Sequence, residues 1–167
     1  MRKTAATSGE LHLTVVEGRN LRRPWSVFGR LSPVCIVHVG RQQRTTEVHE
    51  GGGSSPFWNA LFTFDVDEHS TDVDIQVMTP SVCKLACLGS VTLPIELSRW
   101  QDREFKDLWL PVTIGKQPCT TSLKYGELRV RIEFKLATTL YKHPSVIALP
   151  VRRHNKDKAI STTTITT

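Results

Sequence analysis

The segment from Glu127 to Leu136 leaves the backbone little choice. Leu128, Val130, Ile132, Phe134 and Leu136 alternate with Arg129, Arg131, Glu133 and Lys135, so an extended chain carries its apolar side chains on one face and its charges on the other. A second segment gives the same instruction with a start signal attached. Trp58, Ala60, Phe62 and Phe64 share one parity, Asn59, Thr63 and Asp65 fall on the other, and Leu61 breaks the alternation. Pro56, which has no amide hydrogen to give to a ladder, stands just ahead of this strand.

The rest of the chain supplies partners for these two. Leu11, Leu13 and Val15 alternate with mostly polar neighbours, and Val34 to Val39 is apolar enough for a central strand that Gly40 ends. Gln43 to His49 reads as a polar strand, with Glu50 to Ser55 as a flexible connection. Val73, Ile75 and Val77 alternate with Asp72, Asp74 and Gln76; Leu88 to Ile95 and Trp109 to Val112 follow as strands. Arg22 to Pro33 and Thr79 to Cys87 read as loops, and Glu96 to Phe105, with Leu97 and Trp100 three apart, as a short helical turn. Eight short strands separated by turn residues predict an all-β fold, a two-sheet antiparallel sandwich over residues 10–136.

The charge is distributed unevenly. The net +6 arises from residues 1–9 and 137–167, because the body between them holds equal numbers of acidic and basic residues. Basic character therefore belongs to the ends, read as a flexible N-terminus and a Thr-rich, mostly disordered C-terminal tail. Only the stretch from Arg152 to Lys158 suggests nucleic acid, which is not an expected partner. No apolar run approaches the ~20 residues of a spanning helix, and Met1 to Ala6 lacks the apolar centre of a signal peptide. The expectation is a cytoplasmic protein, peripheral to membrane if it meets one, whose four cysteines are reduced.

Nothing in the sequence points to catalysis or to a cofactor. Cys83 and Cys87 are four apart without a second pair at finger-like spacing, and the six histidines form no ligand pattern. Gly51 to Gly53 is not followed by Lys-Ser/Thr, so it is no phosphate loop.

The run Gly9-Glu10-Leu11-His12-Leu13-Thr14-Val15-Val16-Glu17-Gly18-Arg19-Asn20-Leu21, then Gly29 with Ser32-Pro33-Val34, Pro56-Phe57-Trp58-Asn59-Ala60-Leu61-Phe62-Thr63-Phe64, Leu88-Gly89 and Gly126-Glu127-Leu128, resembles the C2-domain family in order and spacing. The resemblance implies an eight-stranded sandwich of that family's second (type II) topology, in which the strand others place first comes last. It also implies a module that binds calcium between two loops through several aspartates and docks on anionic phospholipid. Here the ligand places fall on Ser26, Ser32, Thr79, Ser81 and Ala86. Calcium takes six to eight oxygens with carboxylates among them, and neither 22–33 nor 79–87 contains one Asp or Glu. The expectation is a calcium-independent module without metal.

In place of carboxylates the first loop carries Arg22, Arg23, Trp25, Val27, Phe28 and Arg30, and the second Val82, Lys84 and Leu85. Apolar tips ringed by cations suit the headgroup layer of an anionic membrane. They equally suit a protein interface, and the aromatic rings could instead fold back onto the loop base. A second surface, Arg41 and Arg44 with His38 and His49, resembles the basic strand by which some family members hold phosphoinositides, and competes with the reading of a solvated strand face. Two functions follow: attachment to an anionic phospholipid membrane without calcium, or a protein-interaction scaffold without lipid affinity. Oligomeric state is not legible.

Overall fold

In the computed structural model, which describes residues 8–25, 27–82, 84–96, 99, 101–114 and 125–137, the alternating C-terminal segment is β8 (Glu127–Leu136). It lies beside β1 (Ser8–Arg19), whose other neighbour is the tryptophan-bearing β4 (Phe57–Asp67), and β7 (Glu104–Pro111) completes a sheet of order β4-β1-β8-β7. The second sheet runs β3 (Gln42–Thr45), β2 (Val34–Val39), β5 (Asp72–Pro80), β6 (Leu85–Pro94), and every pairing is antiparallel. Leu11, Leu13, Val15, Phe64, Ile132 and Phe134 from one sheet meet Val37, Val39, Val73, Ile75 and Val77 from the other in a common buried core. Burial of each such side chain stabilises by about 1.5–3 kcal/mol, which is why the alternation predicts the sandwich.

Two irregularities shape the sheets. Between Val15 and Glu17 the register shifts against both neighbours; Val15 and Val16 are both buried, and Asn59 on β4 takes φ 48, a left-handed conformation that asparagine tolerates at a bulge. Between Val77 and Met78 the register shifts against β6, where Leu88 and Gly89 are buried in succession. The open sides are then stitched. Ser90 and Thr113 exchange backbone hydrogen bonds of 2.7 and 2.9 Å, and the Gln42 side-chain amide occupies the free edge of β4, donating to the Asp65 carbonyl and accepting from its N–H.

Several boundaries differ from the sequence reading. The polar strand ends at Thr45, because the buried Thr46 hydroxyl accepts the Cys35 N–H and turns the chain away from the ladder. The loop read from Thr79 to Cys87 is only 81–84, since β5 continues to Pro80 and β6 begins at Leu85. The short strand at Trp109 starts at Glu104, so Phe105 is an exposed strand residue rather than the end of a helical turn. Leu97, Ser98 and Trp100 lie outside the described residues. Ser8 and Gly9 belong to β1, and Ala137 donates its N–H to Ser8; the remainder of the expected flexible N-terminus and tail lies outside the described residues.

The outer face of the first sheet is held by charge. Arg129 donates two hydrogen bonds of 2.9 Å to Asp107 and one of 3.1 Å to Glu17, while Arg131 adds 3.1 Å to Asp107. These guanidiniums, Arg129 first, hold the Asp107 carboxyl below the usual carboxylate range against a smaller opposing effect of desolvation. A carboxyl lowered in the folded state contributes stability that is present above its unfolded value and lost as pH falls through the folded one. The Asp107→Asn variant is therefore expected to melt lower at neutral pH, and to lose less of its melting temperature on acidification below about pH 4. Parallel thermal melts across that range check this, and identical pH profiles would remove Asp107 from the acid response.

Candidate functional site

Four connections gather at one end of the sandwich: β1–β2 (20–33), β3–β4 (46–56), β5–β6 (81–84) and β7–β8 (112–126). The first is pinned at its base. Leu21 donates its N–H to Ser54, Arg22 to Tyr125, and Gly53 to Leu31, while Leu21, Val27 and Leu31 are buried in the core. The Val27 N–H reaches the Pro24 carbonyl at 3.1 Å, closing a turn with Trp25 on its outer corner. Trp25 is 101% exposed and Phe28 87% exposed, whereas Val27 is 5% exposed. Val27, grouped by its apolar character with the contact residues, is thus corrected to a core anchor: the turn that lifts Trp25 out sends Val27 in. Ser26 lies outside the described residues.

The neighbouring connections add to this surface. Val82 projects from the hairpin that Ser81 N–H and the Lys84 carbonyl close, Leu85 begins β6 half-exposed, and Lys84 is exposed. Ile114, Val48 and Phe57 are also exposed here, so that seven of the ten exposed large apolar side chains among the described residues lie at this end. Leu61, Phe105 and Leu136 are the others. The cations here are Arg22, Arg23 and Arg30, all exposed, with Lys84. Connections 20–33, 81–84 and 112–126 contain no Asp or Glu, and the last carries Lys116 and Lys124 in its sequence. The fourth connection, 46–56, carries Glu47 and Glu50.

Of the positions that the family resemblance assigns to calcium ligands, Ser32 and Thr79 are bonded to each other. Thr79, 1% exposed, accepts the Ser32 N–H on its hydroxyl at 3.2 Å. The Ser32 hydroxyl donates to Glu50 and accepts the Gly51 N–H. Ala86 pairs with Thr79 across the ladder and offers no side-chain oxygen. A donor set of hydroxyls already engaged, with one neighbouring carboxylate bonded to Ser32, does not fit a cation that requires several carboxylate oxygens.

The second basic surface does not assemble. Arg41 sits at the β2–β3 turn, at the far end of the molecule from the loops. Arg44 pairs with the inward-facing Val37 and extends over the Phe64 ring at 5.7 Å, while His38 faces outward toward Gln43. His49 accepts the Phe57 N–H at 2.8 Å and braces the start of β4. Edge-strand parity separates residues that proximity in sequence suggested as one face. What sequence reasoning missed is Ile114 and Tyr125, both beside the first loop; the acid-free run 112–126 was the available signal.

A model of the C2 domain matches residues 9–112. Among curated relatives, the 16 kDa phloem protein 2 of Arabidopsis thaliana is 26% identical over 89 residues, 53% of this chain and 60% of that protein. The chain thus spans less than two thirds of that relative's length. Among solved structures, a C2 domain-containing protein superposes with TM-score 0.63 at 20% identity, covering 83% of this chain and 97% of its own. A C2 domain of plant extended synaptotagmin 1 gives 0.62 at 22%, with coverage of 82% and 99%. Human GIVD cytosolic phospholipase A2 gives 0.62 at 19%, covering 81% of this chain and 17% of that one. These likenesses show the fold; with the family model spanning more than half its length, the chain belongs to the C2 domain family.

Proposed function

We propose that this chain is a non-catalytic C2 module that attaches to anionic phospholipid surfaces without calcium, through the first loop and the hairpin beside it. The observation that carries the reading is the pair Trp25 and Phe28, held out in water by a loop whose base is anchored in the core and whose connection contains no carboxylate. Aromatic side chains on a rigid mount enter a headgroup layer without first being ordered, which reduces the entropy cost of attachment. Inserting the two rings contributes about 1.5–3 kcal/mol each, and each nearby cation about 1 kcal/mol on an anionic leaflet. After ordering and immobilisation this supports reversible, peripheral binding. Among the described residues no helix is long and apolar enough to cross a membrane.

Co-sedimentation with phosphatidylserine-containing vesicles tests both halves. Equal retention in calcium and in excess chelator is expected, with none on pure phosphatidylcholine. Release by chelator would overturn calcium independence, and no retention at low salt would overturn membrane attachment. The protein-scaffold reading is supported by Phe57 and Leu61, 57% and 62% exposed on the edge strand β4. It expects one stoichiometric partner to co-purify and to be lost in a Phe57→Ser/Leu61→Ser variant.

A further inference from the structure

Between the first loop and the ends of β6 and β7 lies an open cleft of about 620 Å³, walled by Arg22, Arg23, Trp25, Cys87, Ile114 and Tyr125 among others. It shares no lining residue with Ser32, Thr79, Ser81 or Ala86, and its wall at Cys87 adjoins Ala86 on β6. Its two guanidiniums are oriented. Arg22 lies over the Tyr125 ring at 5.9 Å and gives its backbone N–H to the Tyr125 carbonyl, and Arg23 donates Nη1 to the Gly29 carbonyl at 2.9 Å. Four of the other described arginines pair with carboxylates, Arg19 with Glu127, Arg99 with Glu96, Arg129 with Glu17 and Asp107, Arg131 with Asp107, and Arg30, Arg41, Arg44 and Arg103 do not. Among the described residues neither Arg22 nor Arg23 has such a partner, and no acidic residue lines the cleft. A guanidinium has five donors in a fixed fork, and of those of Arg22 and Arg23 only the Arg23 Nη1 meets a protein acceptor among the described residues.

We propose that this cleft binds the phosphate of a phosphomonoester headgroup, as borne by a phospholipid, with Arg22 and Arg23 on its oxygens and Trp25 and Ile114 forming the rim toward the acyl region. The proposal rests on the membrane reading for the source of the ester, and adds to it a preference among anionic lipids. Two adjacent forks match a dianionic group with three terminal oxygens better than a lone carboxylate. A serine headgroup also brings an ammonium that both arginines repel. The aromatic walls exclude water from one side of the contact, which strengthens it.

The full chain is titrated with phosphatidylcholine vesicles carrying either phosphatidic acid or phosphatidylserine at matched surface charge. Glycerol 3-phosphate and inorganic phosphate are titrated separately while amide resonances are followed. Phosphatidic acid is expected to bind about tenfold more tightly, the scale of one charge-assisted hydrogen bond, with glycerol 3-phosphate shifting Ile114 and Tyr125. The preference disappears in the Arg22→Gln/Arg23→Gln variant and survives in Arg41→Gln at the far end of the molecule, both folded by thermal melt. Shifts with inorganic phosphate equal to those with glycerol 3-phosphate, without a vesicle preference, would make the source a free anion and overturn the lipid assignment. Equal binding of both vesicles with no shifts would overturn the cleft and leave membrane attachment standing. Failure to bind any anionic vesicle would overturn both.

Discussion

Gly89→Ala is expected to lower stability by about 2–6 kcal/mol, combining backbone strain of about 1–3 kcal/mol with overpacking of similar size. Gly89 is buried on β6 with φ 144, in the left-handed half of conformational space that an L side chain rarely adopts. A methyl group there would stand 2.5 Å from Cγ1 of Val112 and 2.9 Å from the Thr113 carbonyl oxygen. Both neighbours are fixed, Val112 by full burial and Thr113 by its backbone exchange with Ser90. That exchange joins the two sheets along one open side, so the damage falls on the contact between layers. Since a domain of this size is stable by roughly 5–15 kcal/mol, the variant is expected to unfold at much lower urea. Gly53→Ala is the matched control: φ is 61, yet nothing lies within 4 Å of the added carbon, so only the backbone cost of about 1–2 kcal/mol remains. Equal urea midpoints for wild type and Gly89→Ala would contradict the crowding at the β6–β7 junction.

The fold was legible wherever one face of a strand is buried and the other wet without interruption. In β8, Leu128, Val130, Ile132 and Phe134 are fully buried, and in β5 Val73, Ile75 and Val77 are buried while Asp74 and Gln76 are half-exposed. Legibility fails at bulges and edges, for separate reasons. At Leu88 and Gly89 two consecutive residues are buried, so period-two reading stops and the preceding Leu85 to Cys87 is mistaken for loop although it pairs with β5. In β7, the positions opposite Ile132 and Phe134 are Lys106 and Glu104, an ion pair of 3.2 Å, while Phe105 points out and is exposed. At an edge the hydrophobic code is inverted because long charged side chains reach solvent around the rim, and no pattern in the sequence marks the strand.

For the candidate site, composition carried the class of chemistry and geometry decided the membership. The absence of Asp and Glu from 22–33 and 79–87 is visible in the sequence, as is the concentration of arginine and aromatic residues. Which of Trp25, Val27 and Phe28 turns inward is not, because the three are alike in apolar character and differ only in their place around the Pro24–Val27 turn. The approach of Tyr125 to Arg22 likewise depends on β1 and β8 being neighbours, a pairing across more than a hundred residues. Local pattern holds no information about such a contact.

The Trp25→Ala/Phe28→Ala variant is expected to bind anionic vesicles about a hundredfold more weakly than wild type with an unchanged melting temperature. Full insertion of both rings would contribute about 3–6 kcal/mol; at headgroup depth roughly half is realised, and about 2.7 kcal/mol is a hundredfold. The melting temperature stays because neither ring is in the core: Trp25 and Phe28 are 101% and 87% exposed. Val27→Ala separates mount from contact. Removing two buried carbons there costs about 1–2 kcal/mol of stability, so the melt falls, while attachment weakens only as far as the loop loosens. Salt then identifies what remains. Cations on an exposed surface are screened beyond about 8 Å at physiological ionic strength, so wild type retains a ring-dependent share of binding in high salt and the double variant retains none. Wild-type affinity in the double variant would place the membrane contact elsewhere. A parallel fall of melting temperature and affinity in all three variants would mean that the loop acts only by supporting the sandwich.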